Sequence, residues 1–356
     1  MKLVIFGLTI SSSWGNGHAT LWRGLCRALG ARGHDVTFFE RNVPYYAAHR
    51  DTMSPEGCRL HLYESWDEVK SDAETTLSDA DVGMVTSYCP DSRNVCEVLH
   101  ASRAMSVFYD LDTGVTLSSL RGGERVPYVP AGGLAEFDLV LSYTGGRALD
   151  ELRIQLGARQ VAPLYGSVDP ERHRPSPASD DLPRGHLSYL GTYAADRQDR
   201  LEALFIEPAR RRPDRRFIIG GSQYPPDFPW TQNIYYVSHM PPPLHPAFYS
   251  SSALTLNVTR AAMADFGYCP SGRLFEAAAC GTPILSDTWE GLENFFEPGR
   301  EILVARNTDE ALAAMDLPDA ALADLARNAR ERTLGEHTAD ARARDFEGLI
   351  DAAQYS

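Results

Sequence analysis

The sequence predicts an α/β protein built from two Rossmann-like, doubly wound domains. Three observations lead to this class. Short apolar runs alternate with helical patterns in both halves of the chain. Short loops join them, as parallel βαβ units require. A stretch rich in proline, serine and charge separates the halves. Because glycines or polar residues follow many of the predicted strands, we expect the domains to face each other across a central cleft.

The first βαβ unit occupies about forty residues. Residues 3–7 form a continuous apolar run, which is typical of a central parallel strand. A polar loop with two glycines follows. Leu21, Leu25 and Leu29 then recur at helical spacing, and residues 35–40 form the second strand.

The same alternation continues to the end of the chain. Further strands are predicted at residues 82–86, 104–109, 137–142, 187–190, 217–219, 253–256 and 283–285, and helices at 272–279, 310–315 and 338–353. The resulting domain limits are 1–168 for the N-terminal domain, 169–184 for a linker, 185–336 for the C-terminal domain and 337–356 for a terminal helix.

Composition narrows the functional class. The chain has 356 residues, 43% of them hydrophobic, and a net charge of −14, so it has enough apolar residues for a core and lacks the basic character of a nucleic-acid-binding protein. We therefore expect no nucleic acid partner. The six cysteines form no C-x-x-C pair, which favours reduced thiols in a cytoplasmic protein. No apolar run approaches membrane-spanning length. The oligomeric state stays open.

Residues 267–283 carry the strongest site pattern. Ser271 is placed to cap a helix, and the backbone N–H groups of Gly272 and Arg273 would then point outward as a site for a diphosphate. Glu276 follows one turn later, where its carboxylate can accept hydrogen bonds from both hydroxyls of a ribose. The alternative is a capped amphipathic helix with a surface glutamate.

A second pattern follows the first strand of the C-terminal half. Gly191 ends that strand and permits close approach of a ligand, with Thr192 beside it. Arg197 comes six residues after Gly191 and would neutralise a departing nucleoside diphosphate. Taken alone, the pattern favours a glycine turn with a surface arginine.

The N-terminal half contributes candidates for acceptor chemistry. Trp14, Asn16 and Gly17 lie in the loop after the first strand, which is neither a dinucleotide fingerprint nor a P-loop. His18 at the start of the helix is either a catalytic base or a structural histidine.

Polar residues also follow two later strands of this half. Asp110, Asp112 and Thr113 come after one strand, and Tyr143 follows the next. Paired carboxylates suit a metal ion or an acceptor hydroxyl, or they cap the next helix.

Together these motifs resemble the group 1 glycosyltransferases of the GT-B fold. In that family a glycine is followed six residues later by a cation that grips the donor phosphates, as in Gly191 and Arg197. The family's ribose-binding glutamate and the small residues after it match Glu276, Ala277, Gly281 and Pro283. The closer resemblance is to the spore-maturation CgeB-like branch, and it rests on residues 12–20, 108–113, 141–146, 190–193, 255–260 and 273–281.

The resemblance implies a donor that is a UDP-, dTDP- or GDP-linked sugar, a small-molecule or glycan acceptor and no further cofactor. Because a helix N-terminus and arginine charge can replace a metal ion at the diphosphate, we expect no obligatory metal. It also implies that His239 and Met240 read the base and that the terminal helix returns to the N-terminal domain. The expected catalytic residues are His18, Asp110 and Arg197. The expected donor-binding residues are Asn16, Gly17, Gly191, Thr192, Arg197, His239, Met240, Ser271, Gly272, Arg273 and Glu276. The expected acceptor-binding residues are Trp14, Asp112, Thr113 and Tyr143. No residue is assigned as a metal ligand.

One departure from the family pattern concerns the donor sugar. Group 1 enzymes carry two acidic residues eight positions apart, and Tyr268 occupies the first of these positions. The retaining or inverting outcome is therefore open. Two other functions remain as alternatives, namely a catalytically silent sugar-nucleotide-binding protein and a sugar-nucleotide epimerase on the same fold.

Overall fold

The chain forms two compact units. A computed structural model describes residues 1–177 and 182–354. Unit 1 comprises Met1–Tyr165 together with the C-terminal helix, and unit 2 comprises Gly166–Thr338. Within the predicted linker, residues 178–181 lie outside the described residues, as do the last two residues of the predicted terminal helix. The predicted domain limits stay predictions.

Unit 1 contains a seven-stranded sheet in which all described pairings are parallel. Its strands are β1 (Lys2–Gly7), β2 (Asp35–Arg41), β3 (Arg59–Tyr63), β4 (Val82–Thr86), β5 (Met105–Asp110), β6 (Leu139–Ser142) and β7 (Val161–Pro163). The strand order is β3-β2-β1-β4-β5-β6-β7. The order therefore reverses between β1 and β4, the kind of switch point at which open α/β sheets bind ligands.

Helices connect these strands, and one large side chain ties three elements of the unit together. The helices are α1 (His18–Ala31), α2 (Pro44–Ala47), α3 (Trp66–Ser78), α4 (Ser92–Ala101), α5 (Thr113–Arg121) and α6 (Arg147–Leu156). Trp22 of α1 packs edge-on against Phe38 of β2 and Tyr109 of β5, at ring-centre distances of 5.5 and 5.8 Å. These rings are buried, so this face of the sheet is a closed core.

Unit 2 contains a six-stranded sheet, again with parallel pairing throughout its described strands. Its strands are β8 (Gly185–Leu190), β9 (Phe217–Gly221), β10 (Ile234–Ser238), β11 (Ser252–Asn257), β12 (Ile284–Ser286) and β13 (Leu303–Val304). The order is β10-β9-β8-β11-β12-β13. The switch point of this sheet lies between β8 and β11.

The helices of unit 2 are α7 (Gln198–Leu201), α8 (Glu207–Arg211), α9 (His245–Ser250), α10 (Ala261–Ala264), α11 (Gly272–Ala279), α12 (Thr308–Met315) and α13 (Asp319–Glu336). A wide helical turn, Glu202–Ile206, joins α7 to α8. Pro208 lies just after it and lacks the N–H that would continue a regular helix, which accounts for the local widening.

The last helix, α14 (Ala339–Gln354), belongs to unit 1 and packs on α1. Phe346 and Ile350 join the core of that unit. Arg32 pairs with Glu347 at 2.6 Å, which fixes the helix at its surface edge.

The predicted fold class is confirmed, because both halves are parallel α/β sheets. The sequence patterns missed β3, β7 and β13, and β10 was expected only from the family resemblance. The patterns gave no bounds for α2–α10 and missed α13. These strands are short or carry charged and histidine residues, and α13 is rich in alanine and arginine without a continuous apolar stripe. Among the residues described, no helix is both long and apolar enough to cross a bilayer.

Candidate active site

The switch point of unit 2 is organised by one arginine. Arg273, in the first turn of α11, donates from Nε to the carbonyl of Leu190 at the end of β8. Its Nη1 donates to Oδ1 of Asn257 at the end of β11, at 2.9 Å. The guanidinium also lies over the ring of Tyr189, 5.1 Å from its centre. Arg273 thus ties the N-terminus of α11 to both strands that flank the switch point.

Gly191 fits this arrangement because it has no side chain. A Cβ atom at this position would lie 2.8 Å from the Tyr189 hydroxyl and 2.9 Å from Nη2 of Arg273. Its backbone is fixed on both sides, since its N–H donates to the Gly220 carbonyl and its own carbonyl accepts from the Tyr224 hydroxyl at 3.0 Å. Gly191 therefore lies directly against the arginine that organises the switch point.

Arg197 lies on the short helical turn Ala195–Arg197 that follows this glycine. Its Nη1 donates to the carbonyl of Thr192 at 3.0 Å, so the side chain folds back towards the end of β8. Its Nε is buried and has no hydrogen-bond partner among the described residues.

Two arginine charges reach the same phenol beside Gly191. Burial raises the pKa of Tyr224, and the positive charges of Arg273 and Arg197 oppose that rise. Both predicted phosphate-binding arginines therefore act electrostatically within one region of unit 2.

Helix α11 begins where the sequence predicts. Ser271 is its N-cap residue with an extended backbone, and Gly272 is the first helical residue. The Ser271 hydroxyl makes no capping hydrogen bond, so that part of the expectation is corrected. The first N–H groups of a helix have no partner within it, and together with the helix dipole they favour an anion.

Glu276 lies one turn into α11 and is half-buried. Its Oε2 accepts from the Tyr249 hydroxyl at 3.3 Å. His173 and His245 approach its two oxygens at 3.9 and 3.7 Å. Burial opposes ionisation, but the positive charges of Arg273 and of the two imidazoles in their protonated form lower the pKa of Glu276 to about 2. The group is thus an ionised carboxylate at neutral pH, as a hydrogen-bond acceptor for a ribose diol must be.

The two residues expected to read a base lie after β10. His239 has a left-handed backbone, with φ 54°, and its N–H donates to the Gly221 carbonyl at 2.8 Å. Met240 is buried, and its carbonyl accepts from Nε2 of His245 at 3.1 Å. One lone pair of that carbonyl is thus already used by the protein.

Tyr268 stands where group 1 enzymes carry the first of their two acidic residues, and its backbone is strained. Its φ is 45°, and its N–H donates to the Glu290 carbonyl at 2.6 Å. Gly291 packs against its ring, where a Cβ would come within 2.5 Å.

In unit 1 the loop after β1 is braced by Asn16. Its amide donates to the carbonyls of Thr9 and Ser12 at 3.1 and 3.3 Å, and its Oδ1 accepts from the N–H of His18. Gly17 precedes α1, and the space around its Cα is open. Asn16 therefore shapes the loop from within, while Gly17 leaves it accessible.

Trp14 stands at the other end of that loop. It stacks on His49 with a ring separation of 3.9 Å and an interplanar angle of 13°. The two rings form a flat aromatic pair beside the switch-point loop of unit 1.

His18 meets an acidic residue from the end of β5. Its Nε2 lies 3.7 Å from Oδ2 of Asp112, and the same oxygen accepts from the Tyr88 hydroxyl at 2.9 Å. Tyr88 follows β4 with a left-handed backbone, φ 65°. The strand-end geometry thus joins two residues that the sequence placed in separate motifs.

Asp110 is fully buried, which changes its expected role. Its Oδ1 accepts from the N–H of Asp112 at 3.1 Å, and its Oδ2 has no hydrogen-bond partner among the described residues. Burial raises the pKa of Asp110 to about 7. A carboxyl with no exposed surface acts through its neighbours, so we correct its role from substrate contact to support of Asp112.

The two remaining acceptor candidates differ in exposure. Thr113 is buried, and its hydroxyl bonds with Ser142 at 2.7 Å and with the Asp110 carbonyl. Tyr143 is half-buried, and its N–H donates to the Asp110 carbonyl at 2.9 Å. Thr113 therefore acts as a spacer between strand ends, whereas Tyr143 offers surface.

Several site residues escaped the sequence patterns. His173, His245 and Tyr249 surround Glu276, and Tyr224 holds Gly191, although none of them belongs to a recognisable motif. In unit 1 the buried carboxylate of Glu40 accepts hydrogen bonds from the backbone of the loop after β1. Of these residues, Glu40 was the one that the sequence could have indicated, because it is a polar residue at the end of a predicted strand.

Comparison with known proteins supports the class of activity. Residues 197–348 match the family described as glycosyl transferase-like. This match confirms the predicted glycosyltransferase class, whereas the CgeB-like branch stays a prediction. None of the curated protein sequences matches the chain significantly.

Solved structures share the fold along the whole chain. Sucrose-phosphate synthase from Thermosynechococcus elongatus is 14% identical, with a TM-score of 0.71 and 99% of both chains covered. Anabaena HepE in complex with UDP-glucose is 12% identical, with a TM-score of 0.69 and coverage of 99% and 100%. An alpha-glucosyltransferase in complex with UDP-glucose and DNA is 14% identical, with a TM-score of 0.72 and coverage of 98% and 99%.

The expectation that excludes nucleic acid is wrong. Three of the similar structures are alpha-glucosyltransferase complexes with DNA. The net charge of a whole chain does not describe the surface around one site, so acidity of the chain gives no ground for that exclusion. Residues 197–348 thus carry a glycosyl transferase-like region within a chain of the GT-B fold.

Proposed function

We propose that this chain transfers a hexosyl group from a nucleoside diphosphate sugar to an acceptor hydroxyl or amine. The observation that carries the proposal is the arrangement at the switch point of unit 2. There Arg273 lies against Gly191, and Arg197 donates to the neighbouring Thr192 carbonyl. Both arginines and the start of α11 fall within residues 197–348, which match the glycosyl transferase-like family.

The diphosphate is proposed to bind at the N-terminus of α11. The N–H groups of Gly272 and Arg273 would donate to its oxygens, and the Arg197 guanidinium would neutralise the charge that grows as the diphosphate leaves. Ser271 and Thr192 would add hydroxyl contacts. Because fixed arginine charges supply the neutralisation, we propose that the transfer needs no metal ion at the diphosphate.

The nucleoside is proposed to bind beside Glu276. The ionised carboxylate would accept hydrogen bonds from the ribose hydroxyls, and backbone groups at His239 and Met240 would contact the base. HepE structures that share this fold contain UDP-glucose or UDP. UDP is therefore the donor nucleotide that we propose first, ahead of dTDP and GDP.

The acceptor is proposed to bind to unit 1, and its chemical class is a small molecule or a glycan. His18, oriented by Asp112, would take the proton of the acceptor hydroxyl as its oxygen bonds to the anomeric carbon and the bond from that carbon to the diphosphate breaks. Trp14 and Tyr143 would provide contact surface, and Asp110 and Thr113 would hold the strand ends in place. Asn16 and Gly17 would shape the loop that contacts the donor.

Two finer assignments accompany this proposal. The six cysteines are all free, five of them buried and one partly buried, which fits a cytoplasmic location. The order of motifs along the chain supports the CgeB-like branch of the family.

The first experiment is a thermal-shift screen of the full chain against UDP, dTDP and GDP. One of them should raise the melting temperature, because a ligand that binds the folded state stabilises it. Slow hydrolysis of the matching nucleotide sugar by the wild type, lost in Arg197→Ala, supports the transferase. If no nucleoside diphosphate shifts the melting temperature, the proposal fails.

The same material separates the two alternative functions. A silent binding protein would be stabilised by the nucleotide but would neither hydrolyse nor transfer the sugar. An epimerase would convert the donor into an isomeric nucleotide sugar in the absence of acceptor, which chromatography of the incubated donor detects.

A further inference from the structure

Three side chains from separate segments of unit 2 converge without bonding to one another. His173 lies in the segment after the bridge at Val168, His245 begins α9, and Glu276 lies in α11. One potential ligand atom from each lies within 4.8 Å of the other two. We propose that His173, His245 and Glu276 bind one divalent transition-metal ion of the zinc type.

The separations suit a metal better than direct contact. His173 Nε2 lies 3.9 Å from one oxygen of Glu276, and His245 Nδ1 lies 3.7 Å from the other. Both distances are too long for hydrogen bonds. Donor atoms of a tetrahedral zinc site with nitrogen and oxygen ligands lie roughly 3.3 Å apart. A movement of about half an ångström would bring each histidine nitrogen to that distance from its nearer Glu276 oxygen, and the three ligand atoms already lie within 4.8 Å of one another.

The orientation of His245 is fixed from behind. Its Nε2 lies 3.1 Å from the Met240 carbonyl, which can only accept a hydrogen bond. In the neutral ring the proton is therefore on Nε2, and the lone pair of Nδ1 faces the carboxylate of Glu276. Two acceptors that face each other repel, and a cation between them turns repulsion into attraction. Metal-bound histidines typically donate their second nitrogen to a carbonyl in this way.

His173 supplies the independent indication of a ligand. It is 2% exposed, and neither of its ring nitrogens has a hydrogen-bond partner among the described residues. A buried polar atom without a partner costs about 1–3 kcal/mol, and such atoms are rare in folded proteins. Coordination through Nε2 would satisfy the nitrogen that faces Glu276.

Two neutral imidazoles and one carboxylate form the ligand set His₂Glu, which zinc enzymes use with a fourth position left open. This site is separate from the neutralisation of the diphosphate, which rests on arginines. The metal site shares Glu276 with the proposed ribose contact. Metal binding is therefore measured without nucleotide, and its outcome does not depend on the proposed function.

The test is a titration of the full-length chain, stripped with EDTA and then freed of chelator, with Co²⁺ as an optical probe. We expect one equivalent of Co²⁺ to bind with the intense visible bands of a four-coordinate site, and Zn²⁺ to displace it. Zn²⁺ should also raise the melting temperature of the wild type. Mass spectrometry of the zinc-loaded protein should give one metal per chain.

Variants assign the ligands. His173→Phe, His245→Gln and Glu276→Gln should each weaken Co²⁺ binding by at least tenfold. Tyr249→Phe is the matched control, because it removes a neighbour of Glu276 and keeps all three ligands, and it should bind Co²⁺ within a few-fold of the wild type. Circular dichroism verifies the fold of each variant. If His173→Phe does not fold, the His245→Gln and Glu276→Gln variants carry the test.

Three results would overturn the proposal. The first is that the wild type does not bind Co²⁺ when one equivalent is added. The three ligand variants could bind as tightly as the wild type. Thiolate charge-transfer bands could show that the metal sits on cysteine instead.

Discussion

Replacing Gly191 by alanine tests how closely the donor site is packed. The new Cβ would lie 2.8 Å from the Tyr189 hydroxyl and 2.9 Å from Nη2 of Arg273, both closer than real Cβ contacts. Neither group can retreat easily. Tyr189 is fully buried, and Arg273 is held by the Leu190 carbonyl and by Asn257.

The magnitude follows from this crowding. Overpacking of a closed site costs about 1–3 kcal/mol. For a domain the size of unit 2, each kcal/mol lowers the melting temperature by about 2–4 °C, so we expect a decrease of roughly 2–12 °C. Displacement of the Arg273 guanidinium should also weaken binding of the nucleoside diphosphate by about tenfold or more, which corresponds to about 1.4 kcal/mol.

The assay combines calorimetric unfolding with isothermal titration of UDP, or of whichever nucleotide the screen selects. Gly335→Ala is the matched control, because nothing lies within 4 Å of its added Cβ and the residue lies in helix α13 of the same unit. That control should melt at or slightly above the wild-type temperature, since alanine favours a helix over glycine. If Gly191→Ala unfolds and binds nucleotide like the control, the packing argument around Arg273 is refuted.

Three further changes test other parts of the account. Glu276→Gln should weaken UDP binding about 10–100-fold, because a charge-assisted hydrogen bond is worth about 1.5–3 kcal/mol. The loss of affinity should be smaller for 2′-deoxy-UDP, which lacks one ribose hydroxyl. Equal losses in titrations with UDP and 2′-deoxy-UDP would contradict a ribose contact. His18→Gln should lower the transfer rate by about 10²–10⁴ while UDP affinity changes little, and an unchanged steady-state rate would remove His18 as the base. Burial raises the pKa of Asp110 from 3.8 to about 7. The folded state therefore holds the proton more tightly than the unfolded state, which stabilises the fold at low pH. This contribution is lost as the pH rises towards 7, and it amounts to up to about 4 kcal/mol at 1.36 kcal/mol per pKa unit. Denaturant unfolding of Asp110→Asn between pH 4 and 8 should therefore show a weaker fall in stability than the wild type, and parallel curves would contradict a raised pKa.

The fold was predictable because its information is local. Apolar runs such as residues 3–7 and 82–86 mark buried parallel strands, and the loops between elements are short enough to limit the topology. Strand β3 escaped prediction because an edge strand with arginine and histidine has no continuous apolar run.

The donor segment was predictable for the same reason. The cap at Ser271 and the glutamate one helical turn later are a short-range pattern. The contacts of the Arg273 side chain with Leu190 and Asn257 could not be predicted from the sequence, because they depend on where the ends of β8 and β11 lie.

Clusters assembled from distant segments were beyond the reach of the sequence. His173 and Glu276 are separated by more than a hundred residues, and no spacing rule links them. Likewise, the burial of Asp110 follows from packing between strand ends, so its sequence context indicated a polar strand end but not a closed one.

The most direct test of the central claim is a crystal structure of the chain with UDP and, in parallel, of the Arg197→Ala variant with UDP. We predict that the diphosphate oxygens lie within hydrogen-bonding distance of the Gly272 and Arg273 N–H groups and of the Arg197 guanidinium, and that the variant loses diphosphate density or affinity. A diphosphate bound away from the start of α11, or one that Arg197 does not contact, would contradict the account.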